Sequence, residues 1–253
     1  MTMYFTYLMG TAGSGKSTLA LALAERLRAS EVEVATLNLD PGVQWLPYAP
    51  DVDVRDYVDY EKLAQEFKLG PNGALVASVD AAVNHADSMR EELEKLRPDT
   101  VIVDTPGQME LFAYRSSGIY LTQVLSGDEK SMVFLADSLF LNRASDFVSI
   151  LLLSYSIASR FRAPQVNCIS KVDLLPKEIC ERGLMWTSEP ETLRDAFLGE
   201  RADAVNEISE RMLDGLLDVG ALGEFIFTSS NTGEGLDDLH AQLQRIHTSS
   251  EDR

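Results

Sequence analysis

The chain has 253 residues, 45% of them hydrophobic, so it can bury a large core without disulfides or a structural metal. It carries 22 basic and 40 acidic side chains, a formal net charge of −18. Nonspecific nucleic-acid binding needs clustered positive charge, so this balance argues against a direct nucleic-acid partner.

The cysteine count and the apolar runs indicate the compartment in which the protein works. Cys168 and Cys180 are the two cysteines of the chain, too few for a disulfide framework. The first residues run directly into a predicted strand, without a signal peptide before it. The apolar run 147–158 is shorter than the ~20 residues that a membrane span requires. We therefore expect a cytoplasmic protein with no membrane segment.

Residues 10–17 read Gly-Thr-Ala-Gly-Ser-Gly-Lys-Ser, a phosphate-binding loop complete at every fixed position of G-x-x-x-x-G-K-[ST]. The apolar run 3–9 predicts a buried strand before the loop, and the leucine spacing of 19–27 predicts a helix after it. The glycines let the backbone approach an anion, so that successive N–H groups face the phosphates. Lys16 is expected to reach the β- and γ-phosphate oxygens, and the Ser17 hydroxyl to bind Mg²⁺. The residues expected to surround the phosphates are Gly13, Ser14, Gly15, Lys16, Ser17 and Thr18.

Short apolar segments and helical patterns alternate along the rest of the chain. Further strands are predicted at 32–39, 100–104, 132–136, 165–169 and 224–228, and helices at 61–67, 74–96 and 143–162. This alternation is typical of an α/β fold, here a P-loop NTPase with a mainly parallel sheet covered by helices on both faces. The charged stretch of about 176–218 is interpreted as a helical insertion within a single domain spanning 1–253. The Pro-rich stretch 41–57 predicts a loop that acts as a switch segment.

Polar residues follow two of the predicted strands on the phosphate side. Asp104 ends an apolar strand, where a carboxylate can hold Mg²⁺ through water. Gly107 can bring a backbone N–H to the γ-phosphate, and Gln108 can orient a water for in-line attack or simply begin the next helix. Asp40, after the second strand, can position or deprotonate that water or bind the metal's water shell. Its alternative is an ordinary Asp-Pro turn.

A second group of residues is predicted to select the base. In Ser170-Lys171-Val172-Asp173, the carboxylate can accept two hydrogen bonds from guanine, and the lysine stem can lie over the flat base. Ser170 stands where the usual guanine motif has Asn, and the stretch can also be read as the cap of a helix. After the last strand, a backbone N–H near Ser229 and Ser230 is expected to meet the guanine carbonyl.

Two segments have both a local and a functional interpretation. The charges at Asp53, Arg55 and Asp56 belong either to a solvated loop or to the switch, with Arg55 as a possible finger onto the γ-phosphate. Gly70-Pro71-Asn72 reads locally as a turn that starts a helix, with Asn72 as its cap.

Taken in order, these motifs resemble those of the GPN-loop GTPases. The matching segments are 10–18, 38–41, 47–48, 51–56, 70–72, 104–110, 170–173 and 232–235. The resemblance implies GTP hydrolysis to GDP and phosphate with Mg²⁺, in a homodimer whose nucleotide sites lie near the interface. Gly70, Pro71 and Asn72 of one subunit would then act in trans on the γ-phosphate of the other, and Glu110 joins the catalytic candidates. Gly42 stands where the family usually has Ala.

The resemblance also implies a protein client, such as RNA polymerase or its assembly factors. Three other functions stay open on the residues alone. One is a small-molecule kinase, which would need convergent arginines in a lid. Another is an ATP-dependent partitioning or metal-insertion protein. The third is a scaffold that binds nucleotide without turning it over.

Overall fold

The computed structural model describes residues 3–127, 129–200, 206–218 and 225–251. Within them, seven parallel strands form one sheet in the order β3-β2-β4-β1-β5-β6-β7. The strands are β1 (Tyr4–Gly10), β2 (Val34–Asn38), β3 (Val52–Asp53), β4 (Thr100–Asp104), β5 (Lys130–Asp137), β6 (Gln165–Ser170) and β7 (Phe225–Phe227). The sheet is therefore parallel throughout, where a mainly parallel one was expected.

The strands read as continuous apolar runs because both faces of the sheet are buried. In β1, Phe5, Tyr7 and Met9 point into one hydrophobic cluster, and Leu8 points into the other. β1 lies in the middle of the sheet, paired with β4 on one side and β5 on the other. The phosphate loop that follows β1 is therefore held between two buried strands.

Helices cover both faces of the sheet. The described helices are α1 (Lys16–Ala29), α2 (Tyr60–Glu66), α3 (Pro71–Ala82), α4 (Ala86–Leu96), α5 (Met109–Ala113), α6 (Ser116–Ser126), α7 (Ala144–Phe161), α8 (Lys177–Ser188), α9 (Pro190–Gly199), α10 (Asn206–Asp218) and α11 (Leu236–Glu251). α1 and α11 pack on one face, through residues such as Leu23 and Leu239. α3 to α7 pack on the other, through residues such as Val79 and Leu151. None of the helices in these ranges is long and apolar enough to cross a bilayer.

Two predicted elements differ from the structure. The stretch 41–57, predicted as loop, contains the two-residue strand β3 and a 3₁₀ turn at Val54–Asp56, because Leu37 and Asn38 pair with Val52 and Asp53. The predicted helix 74–96 begins earlier, at Pro71, and a 3₁₀ turn at Val83–His85 divides it into α3 and α4. Proline at the first helical position suits the start, since its missing N–H is not needed there.

The stretch 176–218 is helical where it is described, as α8, α9 and α10, while 201–205 lie outside the described residues, as does Glu224 of the last predicted strand. Trp186 of α8 stacks on Phe147 of α7, with ring centroids 5.9 Å apart. Arg194 joins α9 to α10 through Glu210 and Asp214, at 2.8 Å each. The segment is thus packed against the core helices through an aromatic contact.

Alanine substitutions at two helical glycines are expected to change the free energy of unfolding in opposite directions. A Cβ on Gly118 in α6 would lie 2.1 Å from the carbonyl oxygen of Phe112, whereas a Cβ on Gly215 in α10 would meet nothing within 4 Å. We expect Gly118→Ala to lower the free energy of unfolding by about 2–3 kcal/mol through overpacking. Gly215→Ala should raise it by about 0.5–1 kcal/mol, since alanine loses less backbone entropy. Urea unfolding of both variants checks the pair; equal effects would contradict this packing.

Candidate nucleotide-binding site

The phosphate loop is held in a conformation that its glycines make possible. Gly10, Gly13 and Gly15 have φ angles of +147°, +77° and +94°, which side-chain-bearing residues rarely adopt. At Gly10 there is also no space, because an added Cβ would lie 2.3 Å from the carbonyl oxygen of Leu135 in β5. The close approach of β1 and β5 therefore requires glycine where the loop begins.

Lys16, the first residue of α1, is folded back under the loop and is almost fully buried. Its Nζ donates to the carbonyl oxygens of Gly10 at 2.8 Å and Thr11 at 3.0 Å. Burial lowers the pKa of Lys16, against the raising influence of Asp104, Asp40 and Glu110. The ammonium group is thus fixed beside the cradle that the sequence predicted. The Ser14 hydroxyl is buried there with no hydrogen-bond partner in the described part of the chain.

Asp104, at the end of β4, is the buried carboxylate of the site. It pairs in register with Leu8 of β1, which places it beside the phosphate loop. Tyr48 Oη donates to its Oδ2 at 3.2 Å, while no described group bonds its buried Oδ1. Burial raises the pKa of Asp104 to about 6, and Ser17, Lys16 and Tyr48 act in the opposite direction. Tyr48 was not singled out as a site residue, although the resemblance includes it.

Asp40 connects the turn after β2 to the segment after β4. Its Oδ1 accepts from the Gly42 N–H at 3.0 Å, and its Oδ2 accepts from the Gly107 N–H at 3.2 Å. The alternative of an Asp-Pro turn is present, but the same carboxylate also reaches across to Gly107. Asp40 and Gly107 are therefore together, as their expected roles require.

The remaining phosphate-side residues are placed at helix starts. Gln108 occupies the N-cap position of α5, yet its exposed side chain makes no capping hydrogen bond. Glu110, in the first turn of α5, is exposed and close enough to Lys16 to influence its pKa. Ser17 is half-buried and Thr18 exposed in the first turn of α1.

The base-side residues meet where β6 and β7 end. Ser170 Oγ donates to the Ser14 carbonyl oxygen at 2.7 Å, so the end of β6 is bonded to the phosphate loop. Lys171 Nζ donates to the Gly13 carbonyl oxygen at 2.5 Å and to Asp137 Oδ2 at 2.6 Å. The lysine is consequently stretched over the outer side of the loop, and it has a left-handed φ of 60°.

Asp173 lies in a 3₁₀ turn after β6 and is exposed. A hydrogen bond from Ser229 holds the pKa of Asp173 below its usual range, and Asn231 Nδ2 donates to its Oδ2 at 3.4 Å. Ser229 is fully buried after β7, and Ser230 beside it is half-buried. The fold thus brings Ser170, Lys171, Asp173 and the 229–230 turn to one edge of the phosphate loop.

Arg55 does not reach the phosphate loop within its own chain. Its guanidinium forms a bidentate pair with Asp53, at 2.6 Å from Nη2 to Oδ2, and Nη1 donates to the Val43 carbonyl oxygen. Asp53 in turn accepts from Asn38 Nδ2 at 2.9 Å. The cluster is a structural clamp on the β2–β3 pair. Sequence reasoning missed it, since the short strand β3 that creates it has no pattern of its own.

Gly70-Pro71-Asn72 stands at the start of α3, exposed to solvent. Asn72 is not the helix cap, as its local interpretation had it: Gly70 occupies the cap, Pro71 the first helical position and Asn72 the second. Because glycine has no side chain, the first-turn N–H groups receive no side-chain acceptor. The amide of Asn72 is therefore presented outward beside free backbone donors.

A glycine loop between the central strand and first helix of a parallel sheet, with its lysine buried beneath it, defines a P-loop nucleotide-binding protein. The family model described as "Conserved hypothetical ATP binding protein" matches residues 8–249. A GPN-loop GTPase of Pyrococcus abyssi is 32% identical over 91% of this chain and 92% of its own. The chain belongs to the GPN-loop GTPase family.

A crystal structure from Pyrococcus abyssi, of a GTPase in apo form, superposes with a TM-score of 0.86 at 30% identity, covering 96% of this chain and 97% of that one. GPN-loop GTPase 1 of Dictyostelium discoideum is 29% identical over 93% of this chain. The chain spans 59% of that relative and 65% of the Schizosaccharomyces pombe one, which is 28% identical.

The raised pKa of Asp104 predicts a pH-dependent stability for the nucleotide-free protein in a chelator. A carboxyl with a higher pKa in the folded state costs stability once it ionises, so stability falls as the pH rises from about 4 to about 6. Asp104→Asn removes this cost and should stabilise the protein at pH 7 by about 2 kcal/mol, or a few degrees in Tm. The gain should vanish near pH 4.

The matched control is Asp195→Asn on the exposed side of α9, which makes the same substitution away from the buried site. Thermal unfolding of the unmodified protein and of both variants, from pH 4 to pH 8, measures the pH dependence of their stability. A loss of stability in Asp104→Asn at pH 7 would show that the carboxylate stabilises the fold instead.

Proposed function

We propose that the protein hydrolyses GTP to GDP and phosphate. The observation that carries the proposal is the carboxylate of Asp40, bonded to the Gly107 N–H across the site while Lys16 lies buried under the phosphate loop. The loop and Lys16 would bind the triphosphate, and Asp40 and Gly107 would stand where its terminal phosphate reacts. Catalysis would be positional and electrostatic rather than covalent.

The residues present fit a bound Mg²⁺. Asp104 Oδ1 is buried without a described hydrogen-bond partner, which a metal-bound water would supply. Ser17 would be the direct ligand, with Asp104 and Asp40 holding its water shell. Among the described residues no three His, Cys, Asp or Glu side chains form a metal site by themselves. The ion would neutralise charge on the β- and γ-phosphates.

The chain's own groups would act on the attacking water. Each oxygen of the Asp40 carboxylate accepts one described backbone hydrogen bond and retains a second acceptor position. One of these positions can hold the attacking water and receive its proton. The side-chain amide of Gln108, which makes no capping hydrogen bond, would orient the same water. Glu110 would add a negative field at Lys16, in line with its raising influence on the pKa of the lysine.

Guanine, rather than adenine, is the base that Asp173 would select. Its carboxylate is exposed and held ionised by Ser229 and Asn231. An ionised acceptor suits the two donors on the guanine edge, which adenine lacks. The family model is described by ATP binding, whereas the relatives named above are called GTPases. The convergence of Asp173, Lys171 and Ser229 at one edge of the phosphate loop favours guanine, in line with the names of these relatives.

We propose a homodimer in which Asn72 of one subunit reaches the γ-phosphate of the other. Exposure of the Gly70–Asn72 segment and the free donors of the first turn of α3 support this role.

Hydrolysis would then switch the dimer between two conformations and drive assembly of a protein complex, such as RNA polymerase. The protein would work in the reducing cytoplasm, where Cys168 and Cys180 stay free thiols. Capture from native lysate with a non-hydrolysable GTP analogue tests the client.

Asp173→Asn tests the choice of base. Losing the ionised acceptor should weaken GTP binding at least tenfold and leave ATP binding unchanged, because an amide oxygen accepts only part of the guanine edge. Isothermal titration with both nucleotides measures this, with Asp195→Asn as the surface control. Tighter ATP than GTP binding by the unmodified protein would end the guanine proposal and favour the ATPase alternative.

Mixed dimers test the trans role of Asn72. Asn72→Ala should bind GTP normally and hydrolyse it at least tenfold more slowly, through loss of a transition-state donor. Lys16→Ala should not bind GTP. Mixing the two chains should restore part of the activity, because one site in each mixed dimer then has both parts. Failure to restore it, with mixed dimers verified by native mass spectrometry, would place Asn72 in its own chain's site.

A further inference from the structure

One side chain lies between the turn after β2 and the start of α3. Tyr60, the first residue of α2, donates from Oη to the Pro71 carbonyl oxygen at 3.2 Å. Its ring faces Gly42, because a Cβ added to that glycine would stand 3.4 Å from Tyr60 Cε2. Tyr60 therefore bridges two segments that the sequence analysis assigned to different roles.

On the Gly42 side, the bridge leads into the phosphate site. The Gly42 N–H bonds Asp40 Oδ1 at 3.0 Å, and the Gly107 N–H bonds Asp40 Oδ2 at 3.2 Å. The Tyr60 ring borders the same turn at Gly42.

On the Pro71 side, the bridge leads to the proposed trans asparagine. Gly70, Pro71 and Asn72 are all exposed, and a Cβ on Gly70 would meet nothing within 4 Å. The start of α3 has no side-chain cap of its own. The Tyr60 hydroxyl thus supplies a side-chain anchor to a segment that has little packing, and Asn72 follows the anchored carbonyl by one residue.

We propose that Tyr60 is a positioning residue for Asn72: from its place beside the Gly42 turn, its hydroxyl anchors the backbone next to the asparagine that the same subunit offers to its partner. This inference rests on the proposed function. An alanine methyl at position 42 would stand 3.4 Å from Tyr60 Cε2, so glycine leaves this side of the ring less tightly packed.

The first test is Tyr60→Phe, which keeps the ring on Gly42 and removes only the hydroxyl donor. We expect kcat to fall about 3- to 10-fold, the size of one lost hydrogen bond, with KM for GTP and Tm unchanged. The matched control is Tyr120→Phe, an exposed tyrosine of α6, which should leave kcat as it is. An unchanged kcat in Tyr60→Phe would overturn the inference.

The second test adds Tyr60→Phe to one or the other chain of a mixed dimer. A merely structural role would give the same loss in either chain. In dimers of Lys16→Ala with Asn72→Ala chains, the Lys16→Ala chain donates the intact asparagine. Adding Tyr60→Phe to that chain should lower the restored activity, and adding it to the Asn72→Ala chain should not. Equal losses from both placements, or a loss from the second alone, would overturn the inference.

A double-mutant cycle separates this inference from the proposed function. If mixed dimers restore nothing, the trans mechanism fails, and single-turnover rates of Asn72→Ala with and without Tyr60→Phe decide the positioning role. No further loss in the double variant means that Tyr60 acts through Asn72 in whichever site the asparagine serves. Multiplicative losses mean that it acts elsewhere and contradict the inference.

Discussion

Lys16 and Asp104 are both buried at the phosphate loop, each close enough to influence the pKa of the other, and the rest of the site depends on this placement. Burial disfavours both charged forms: it lowers the pKa of the lysine and raises that of the aspartate. Backbone carbonyls hold the ammonium group, while one carboxylate oxygen stays without a described hydrogen bond. The cradle is thus preorganised around charges that a triphosphate and its cation would balance.

The parallel sheet explains how residues distant in sequence reach this point. Every strand of a parallel sheet ends at the same edge, so Asp40, Asp104 and Ser170 arrive there from β2, β4 and β6. Gly10 must be glycine because the carbonyl of Leu135 leaves no room for a Cβ. Hydrogen bonds such as those between Asp40 and Gly107 and between Ser170 and Ser14 then join the strand ends into one unit.

Sequence patterns were sufficient where a local signal encodes the structure. The complete glycine loop, the apolar strands and the carboxylate at a strand end were each readable, and the parallel α/β fold followed from them. Sequence patterns were insufficient where strand pairing creates the element. β3 has two residues in a Pro-rich stretch and forms because β2 lies beside it. The break at Val83–His85 likewise carries no glycine or proline to announce it. The Arg55–Asp53 clamp depends on β3 and was hidden with it.

The sequence by itself determined the class of fold, the family and the phosphate loop, because a short motif specifies its own backbone geometry. Only the tertiary structure decided what each polar group bonds. It paired Arg55 with Asp53, placed Gly70 rather than Asn72 at the α3 cap, and bonded Tyr60 to Pro71 beside the Gly42 turn. The reason is that these contacts form between segments whose distance is set by packing of the whole sheet, and no local pattern records that distance.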